Sequence, residues 1–136
     1  MKKIVVVTGG NGTLGKCVVD KLIKEEYFVV SLVHAPSDGK NVNLLEVETD
    51  LSDISAIQRS MEKIKFVISK IEIESLSIIH MSGFYEQQKL PVKVGDMKKW
   101  NEIFGVNTFS FYFIVSELVS LFELIKRGNI IAVSSN

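Results

Sequence analysis

Residues 8–15, TGGNGTLG, have the composition and spacing of a phosphate-binding turn. They follow a short β-branched run and open an amphipathic segment, and Gly10, Gly12 and Gly15 fit the pattern G-x-G-x-x-G. Such glycines permit a tight turn and a close approach of the backbone to a pyrophosphate, which the helix N-terminus then faces. Thr8 also begins the related pattern T-G-x-x-G-x-x-G. The candidate cofactor-binding residues of the turn are Gly9, Asn11, Gly12, Thr13, Leu14 and Gly15.

The same turn comes close to a P-loop through Gly10, Gly15 and Lys16. A P-loop needs a Ser or Thr hydroxyl for magnesium after the lysine, but Cys17 stands there. The fourth predicted strand ends in His80 and not in a metal-binding Asp. We therefore predict no metal site, and we keep a P-loop nucleotidase and a ligand-free turn as weaker alternatives.

The end of the second predicted strand bears on the choice of dinucleotide. An NAD site wants an Asp or Glu about 20 residues after the glycines to accept from the ribose 2′-OH. The sequence there reads Val33-His34-Ala35, with no acid until Asp38. Nothing repels a 2′-phosphate, and His34 could donate a hydrogen bond to one. The sequence favours NADP over NAD, and an ordinary surface histidine is the alternative for His34.

Short apolar runs alternate with longer amphipathic segments along the chain. The predicted strands cover residues 4–7, 28–33, 43–48, 76–80 and 130–133, and the predicted helices cover 13–25, 53–71 and 96–126. This order predicts an α/β fold with a doubly wound parallel sheet, in a single domain over residues 1–136. The fifth strand is predicted to be buried on both faces.

The third predicted helix is apolar on nearly its whole circumference, so it should be buried on more than one side. We expect it to pair subunits in a homodimer or homotetramer. The residues expected to lack cover within the chain include Phe109, Phe113, Val119 and Phe122.

Composition limits the partners and the setting. Sixteen basic and sixteen acidic residues cancel and form no basic block, which argues against nucleic acid. The single Cys17, expected in the core of the first helix, allows no internal disulfide and favours a cytoplasmic protein. The longest uncharged stretch, residues 103–116, is too short to span a membrane.

Four segments later in the chain follow the glycine turn in an order that matches the motifs of a known protein family. Asp50-Leu51 follows the third predicted strand, and His80-Met81-Ser82-Gly83 follows the fourth. The third predicted helix has a tryptophan seven residues before Asn107, and the fifth strand ends in two serines. With the glycine turn, these segments resemble the short-chain dehydrogenase/reductase family, over the whole chain but only about the first half of the family's domain.

The resemblance implies a Rossmann-like sheet with strand order 3-2-1-4-5, truncated after the fifth strand. It adds further cofactor-binding candidates: Asp50, Leu51, Met81, Ser82 and Gly83. Two departures stand out: Thr13 replaces a glycine of the largest branch, and His80 with Met81 replaces two asparagines.

The resemblance also implies an NAD(P)-dependent oxidoreductase that transfers hydride between nicotinamide and a small carbonyl or alcohol substrate. By its motifs Ser135 would orient the substrate carbonyl, with Ser134 as the alternative, and Asn107 would hold a water of the proton relay. The alternative readings are a turn residue at a strand end for the serine and a polar residue that caps a helix irregularity for Asn107. The family's Tyr-x-x-x-Lys motif is matched by Tyr85 and Lys89, in the loop after the fourth strand, where we interpret the match as chance. A non-catalytic dinucleotide-binding module is therefore the alternative function.

Overall fold

Strands and helices alternate along the chain, as the apolar runs predict. The computed structural model describes residues 1–84 and 96–134. The strands are β1 (Lys2–Thr8), β2 (Phe28–Val33), β3 (Leu44–Glu48), β4 (Ile73–His80) and β5 (Ile130–Ala132). The helices are α1 (Thr13–Lys24), α2 (Ile54–Ile68), α3 (Met97–Phe104) and α4 (Ser110–Ile125), with a π-helical turn, Gly105–Phe109, between α3 and α4.

The strands form one parallel sheet in the order β3-β2-β1-β4-β5, which confirms the predicted fold class and strand order. The central strand β1 pairs with β2 and β4, so that Val6 lies opposite Val30 and Ile78. The chain winds to one side from β1 to β3 and then crosses to the other side with β4. The carboxyl ends of β1 and β4 therefore flank the crevice where open α/β sheets bind their ligands.

The apolar run of β1 serves both faces of the sheet because side chains alternate along a strand. Ile4 and Val6 belong to the larger core, and Val5 and Val7 to the smaller one together with Val19 of α1. The larger core lies beneath α2 and α4, whose fully buried side chains are Ile57, Met61, Ile64, Ile68, Ile114 and Leu118. Asp53 caps α2 as predicted, since its carboxylate accepts a hydrogen bond from the Ser55 N–H at 2.8 Å.

The predicted single helix over residues 96–126 is interrupted by the π-helical turn. Ser110 lies at the end of this turn, and its hydroxyl donates to the Val106 carbonyl at 2.6 Å. A side-chain hydroxyl that bonds to a carbonyl of the preceding turn competes with the regular helical ladder. Hydrophobic periodicity does not report which carbonyl a hydroxyl selects, so the prediction of a single helix includes no interruption. A helix irregularity is considered only in the alternative reading of Asn107, which lies in this turn.

Residues 97–125 are long and apolar enough to cross a membrane by length and composition, contrary to the estimate from their uncharged stretch. However, Ile114 and Leu118 are fully buried in the larger core, where Phe113 and Phe122 also pack. The prediction that Phe113 and Phe122 lack cover is therefore wrong. The opposite side of the helix is exposed, and its large side chains are Phe104, Phe109, Tyr112, Val119 and Leu124.

Two burial predictions fail in the described part of the chain. Ile130 and Ile131 are 49% and 45% exposed, because β5 is the outermost strand there and pairs with β4 alone. Cys17 is exposed on α1 and is not a core residue.

Candidate functional site

The glycine turn between β1 and α1 is built by close backbone contacts. Gly9 has φ +71°, which L side chains rarely adopt, and its carbonyl accepts from the Gly12 N–H at 3.1 Å. The first turn of α1 crosses this carbonyl so closely that a Cβ atom on Gly15 would lie 1.9 Å from it. The fold itself therefore requires glycine at positions 9 and 15.

Gly12 differs, because the fold does not require its small size. It is the N-cap residue of α1, with φ −72° and ψ 169°, and an added Cβ would meet only the Gly9 carbonyl oxygen, at 3.4 Å. No described side chain caps α1, so the N–H groups of its first turn stay available. Open space in front of free N–H groups at a helix N-terminus fits the approach of a phosphate.

A cleft of about 600 Å³ opens over this turn at the carboxyl end of the sheet. It gathers most of the predicted cofactor-binding residues: Gly9, Asn11, Gly12, His34, Asp50, Leu51, Met81, Ser82 and Gly83. Thr13, Leu14 and Gly15 do not line it and lie in the first turn of α1. A smaller hollow of about 360 Å³ beside residues 36–46 shares no lining residue with this cleft.

Sequence reasoning missed other residues of the cleft, namely Leu32, Val33, Thr49, Ser52, Phe84, Glu102 and Val106. Thr49 and Ser52 flank the predicted Asp50-Leu51 pair, so their position at a strand end could have indicated them. Glu102 and Val106 come from α3 and the π-helical turn, and only the fold brings them to the sheet edge.

Asp50 is held in its ionised form on one wall of the cleft. Its Oδ1 atom accepts hydrogen bonds from the Ser52 hydroxyl at 2.6 Å and the Ser52 N–H at 2.9 Å. The hydroxyl bond, then the main-chain bond, lower the pKa of Asp50 below its ordinary value, and the charge of His34 acts in the same direction. The wall therefore presents a carboxylate near the imidazole of His34.

His34 is exposed at the end of β2, where the sequence places it. Asn11 of the glycine turn donates from Nδ2 to the Ala35 carbonyl at 3.1 Å. This bond ties the glycine turn to the chain that leaves β2. The segment that would select between NAD and NADP is thus fixed relative to the turn that would hold their phosphates.

The opposite wall, residues 81–84, is attached to β1 through Thr8. The Thr8 hydroxyl oxygen accepts from the Met81 N–H at 3.2 Å and the Ser82 N–H at 3.1 Å. It also lies 2.8 Å from Nδ1 of His80, and both side chains are buried. Thr8 therefore links the glycine turn, the wall and the end of β4.

Asn107 fastens the same wall from the helical side. Its Oδ1 atom accepts from the Phe84 N–H at 2.6 Å, and its Nδ2 donates to the Phe84 carbonyl at 2.9 Å. Both polar groups of the side chain are thus engaged with the main chain of the wall. In this arrangement the Asn107 side chain positions the wall. Its amide keeps one further acceptor and one further donor capacity, and the relay water stays a prediction.

Three predicted positions lie outside the described residues: Ser135, which was assigned to the substrate carbonyl, and the Tyr85–Lys89 pair. Ser134, the alternative to Ser135, follows β5 and is exposed. The described site is therefore a cofactor-sized cleft at a sheet edge.

A parallel sheet of this order, with a glycine turn between its central strand and the next helix, defines a Rossmann-like domain. The sequence profile described as short chain dehydrogenase matches residues 3–136. The chain belongs to this family, which confirms the resemblance.

Comparison with individual proteins agrees with this family assignment. The acetoacetyl-CoA reductase of Synechocystis sp. is 23% identical over 133 residues, which are 98% of this chain and 52% of the reductase. The solved structure of ElxO with NADP bound has a TM-score of 0.78 and 22% identity, and the match covers 99% of this chain and 56% of ElxO. A short chain dehydrogenase/reductase family oxidoreductase from Brucella ovis, in complex with a partially ordered NAD, has a TM-score of 0.76 and 15% identity, over 95% and 61% of the two chains. This chain thus spans about half the length of the curated relative it matches.

Proposed function

We propose that this chain forms the dinucleotide-binding part of an NAD(P)-dependent oxidoreductase that transfers hydride between nicotinamide and a small carbonyl or alcohol substrate. The observation that carries the proposal is made at Gly12. The fold has room for a side chain at this position, yet the residue there is glycine. The structures of ElxO with NADP and of the Brucella ovis protein with NAD support this class of cofactor.

The residues of the cleft have distinct tasks in this proposal. The N–H groups of Thr13, Leu14 and Gly15 receive the pyrophosphate, whose charge the N-terminus of α1 stabilises. The ionised Asp50 accepts a hydrogen bond from the amino group of the adenine. The wall at residues 81–84 orients the nicotinamide end, and Asn107 keeps that wall in place. The bound nicotinamide supplies or accepts the hydride.

The test of cofactor binding compares Gly12 with Gly39, because the fold leaves room for a side chain at both positions. We expect Gly12→Val to weaken NADPH binding at least tenfold, because its side chain would occupy the approach to the helix N-terminus. Gly39→Val is the matched control, since an added Cβ there meets only the Ser37 hydroxyl, at 3.9 Å. Calorimetric titration measures both affinities, and equal NADPH affinity in the Gly12 variant and the wild type would contradict the proposal.

We further propose that the site prefers NADP to NAD. The chain after β2 has no carboxylate at Val33, His34 or Ala35, and a protonated imidazole at His34 attracts a 2′-phosphate. NADPH should bind at least as tightly as NADH at neutral pH, with a growing advantage as His34 becomes protonated. His34→Asp should reverse the order, because a carboxylate accepts from the ribose 2′-OH and repels the phosphate. A clear NADH preference of the wild type would contradict the assignment of His34.

A non-catalytic dinucleotide-binding module is the alternative. Within residues 1–84 and 96–134, no Tyr or Lys lines the cleft, so the described part offers no proton donor of the family's kind. Oxidation of NADPH in the presence of small ketones and aldehydes separates the two functions. Tight binding without turnover would favour the module, and turnover would favour the enzyme.

A further inference from the structure

We propose that His80 is a positioning residue for the dinucleotide cleft, acting as the neutral Nε2–H tautomer that accepts the proton of the Thr8 hydroxyl. The inference rests on the proposed function, because the wall that Thr8 holds is assigned to the nicotinamide end. It concerns a position where the family's usual asparagine is replaced in this chain.

The tautomer follows from the hydrogen bonds around the Thr8 oxygen. A hydroxyl oxygen has two lone pairs and one proton to donate. Two main-chain N–H groups, of Met81 and Ser82, point at this oxygen and occupy its lone pairs, although the Met81 N–H is shared with the Thr8 carbonyl at 3.3 Å. The hydroxyl proton is then left for Nδ1 of His80, 2.8 Å away. Nδ1 must therefore be unprotonated, which places the proton of the neutral ring on Nε2.

The surroundings of the ring also favour its neutral form. His80 is 3% exposed, and its ring lies 5.1 Å from the ring of Phe111. Burial lowers the pKa of His80, and the main chain of Asn107 opposes this effect. That contact is not a well-formed hydrogen bond, because Nε2 has no partner within hydrogen-bonding geometry among the described residues. The contacts from β1, α4 and the π-helical turn are Thr8, Phe111 and Asn107, none of which carries a titratable side chain.

Protonation of His80 would disturb the wall of the cleft directly. A proton on Nδ1 would face the Thr8 oxygen, which already accepts from two N–H groups, and the hydroxyl proton would lose its acceptor. The wall has little room to shift: a Cβ on Gly9 would lie 3.0 Å from the Ser82 nitrogen and 3.2 Å from the Met81 carbonyl carbon. The orientation of Thr8 therefore sets the distance between the glycine turn and the wall.

The effect on folding has a definite sign. Because the pKa of His80 is lowered in the folded state, the unfolded chain binds more protons as the pH falls. This contribution to stability is complete above the ordinary histidine value of about 6.5 and is lost progressively as the pH falls from there toward the lowered value. Protonation of His80 should also weaken dinucleotide binding as the pH falls. NADH is the suitable ligand for measuring this effect, since it has no 2′-phosphate for His34 to attract.

The first experiment reads the tautomer of the wild-type chain by two-bond ¹H–¹⁵N correlation NMR. The chain has two histidines, and the other, His34, is exposed, so the buried ring can be assigned from a His34→Asn variant. We expect an unprotonated Nδ1 and a protonated Nε2 in His80. A protonated Nδ1 would overturn the proposal even if every substituted chain failed to fold.

The second experiment compares His80→Phe with His80→Asn. Phe fills the space but cannot accept the Thr8 proton, whereas the Asn side-chain oxygen can. We expect NADH affinity to fall about tenfold or more in the Phe variant and to recover largely in the Asn variant. Thr8→Val should have a similar effect, and the double variant with His80→Phe should be no weaker than the single ones, since both remove one interaction.

The main-chain amide signals of Met81 and Ser82 separate this proposal from the proposed function. They should shift in His80→Phe and return toward the wild-type positions in His80→Asn, whether or not a dinucleotide binds. If the wild-type chain binds neither NADH nor NADPH but the amide signals shift as expected in the variants, the proposed function is rejected and the role of His80 in holding the wall is retained. Unchanged amide signals and unchanged NADH affinity in a folded His80→Phe variant would overturn the role of His80.

Discussion

The glycine turn and strand β5 both depend on a glycine that lies against a main-chain carbonyl, yet they differ in what surrounds them. A Cβ on Gly15 would lie 1.9 Å from the Gly9 oxygen, and one on Gly128 would lie 1.5 Å from the Leu76 oxygen. Gly15 is buried, whereas Gly128 is exposed and the adjacent Ile130 and Ile131 are about half exposed. Tight local geometry therefore does not establish that a region is buried.

The difference has a physical origin in the position of the strands. β1 has hydrogen-bonded neighbours on both edges and a core on each face. β5 pairs with β4 alone within the described residues, and α4, which packs on α2 and β4, keeps an exposed apolar side. Unpaired strand edges and contiguous apolar faces are surfaces that proteins commonly cover with further structure. The cleft lies at the carboxyl ends of β1, β2 and β4, within the region around the central strand.

Substitution of one glycine in each region separates the two regions. Gly15→Ala forces a side chain into the Gly9 carbonyl, and we expect a loss of about 1–3 kcal/mol or more in unfolding free energy. Gly128→Ala meets an equally hard contact, at a φ of +155°, but should mainly release β5, which has few partners to lose. Urea unfolding measures the first effect and amide hydrogen exchange the second. An equal loss of unfolding free energy in both variants would show that the fold depends on β5 as much as on β1.

A second comparison lies within α4 itself. Leu118 is fully buried in the larger core and its neighbour Val119 is 49% exposed. Leu118→Ala should cost about 2–5 kcal/mol of unfolding free energy, because it leaves a cavity. Val119→Ala should stay within about 0.5 kcal/mol, as surface substitutions usually do. Chemical denaturation gives both values, and a large loss at Val119 would mean that its side chain is covered in solution.

Self-association tests what covers the exposed side of this helix. We propose that it pairs with a second copy, because Phe109 and Tyr112 are 53% and 66% exposed on one helix. Burying each such side chain contributes about 1.5–3 kcal/mol. Replacing either with Ser should therefore weaken association about tenfold in sedimentation experiments. Val42→Ser is the control, since Val42 is 92% exposed in the β2–β3 loop. Wild-type chain that stays monomeric at tens of micromolar, a concentration at which ordinary dimers form, would reject the pairing.

The smallest effect concerns the ion pair that links α2 to α4. Lys65 Nζ lies 2.6 Å from Glu117 Oε2, and the two side chains are 37% and 34% exposed. Solvent screening at this exposure limits the coupling to about 1 kcal/mol or less. A double-mutant cycle with Lys65→Met and Glu117→Gln should show this coupling, and added salt should reduce it. A coupling energy well above that limit would mean that the packing of α4 on α2 depends more on this ion pair than on the apolar side chains of the two helices in the larger core.

Local sequence determined the sheet and one side of the cleft. The apolar run of residues 4–7 predicts a strand, and the glycine spacing after it predicts a turn that opens a helix. These predictions succeed because they depend on contacts between near neighbours, such as that between Gly9 and Gly12, and on the period of apolar residues. The family's segments added Asp50 and residues 81–83, which the structure gathers at the same sheet edge.

Only the tertiary structure decided how the second wall of the cleft is held. The bonds from Asn107 to Phe84 and from Thr8 to His80 join residues far apart in the chain, and no local pattern predicts them. The same holds for exposure along the π-helical turn and α4, where Phe113 and Phe122 pack on the core while Phe109 does not. An apolar residue type indicates that burial is favourable, but which side of an all-apolar helix meets the sheet depends on the path of the chain in three dimensions.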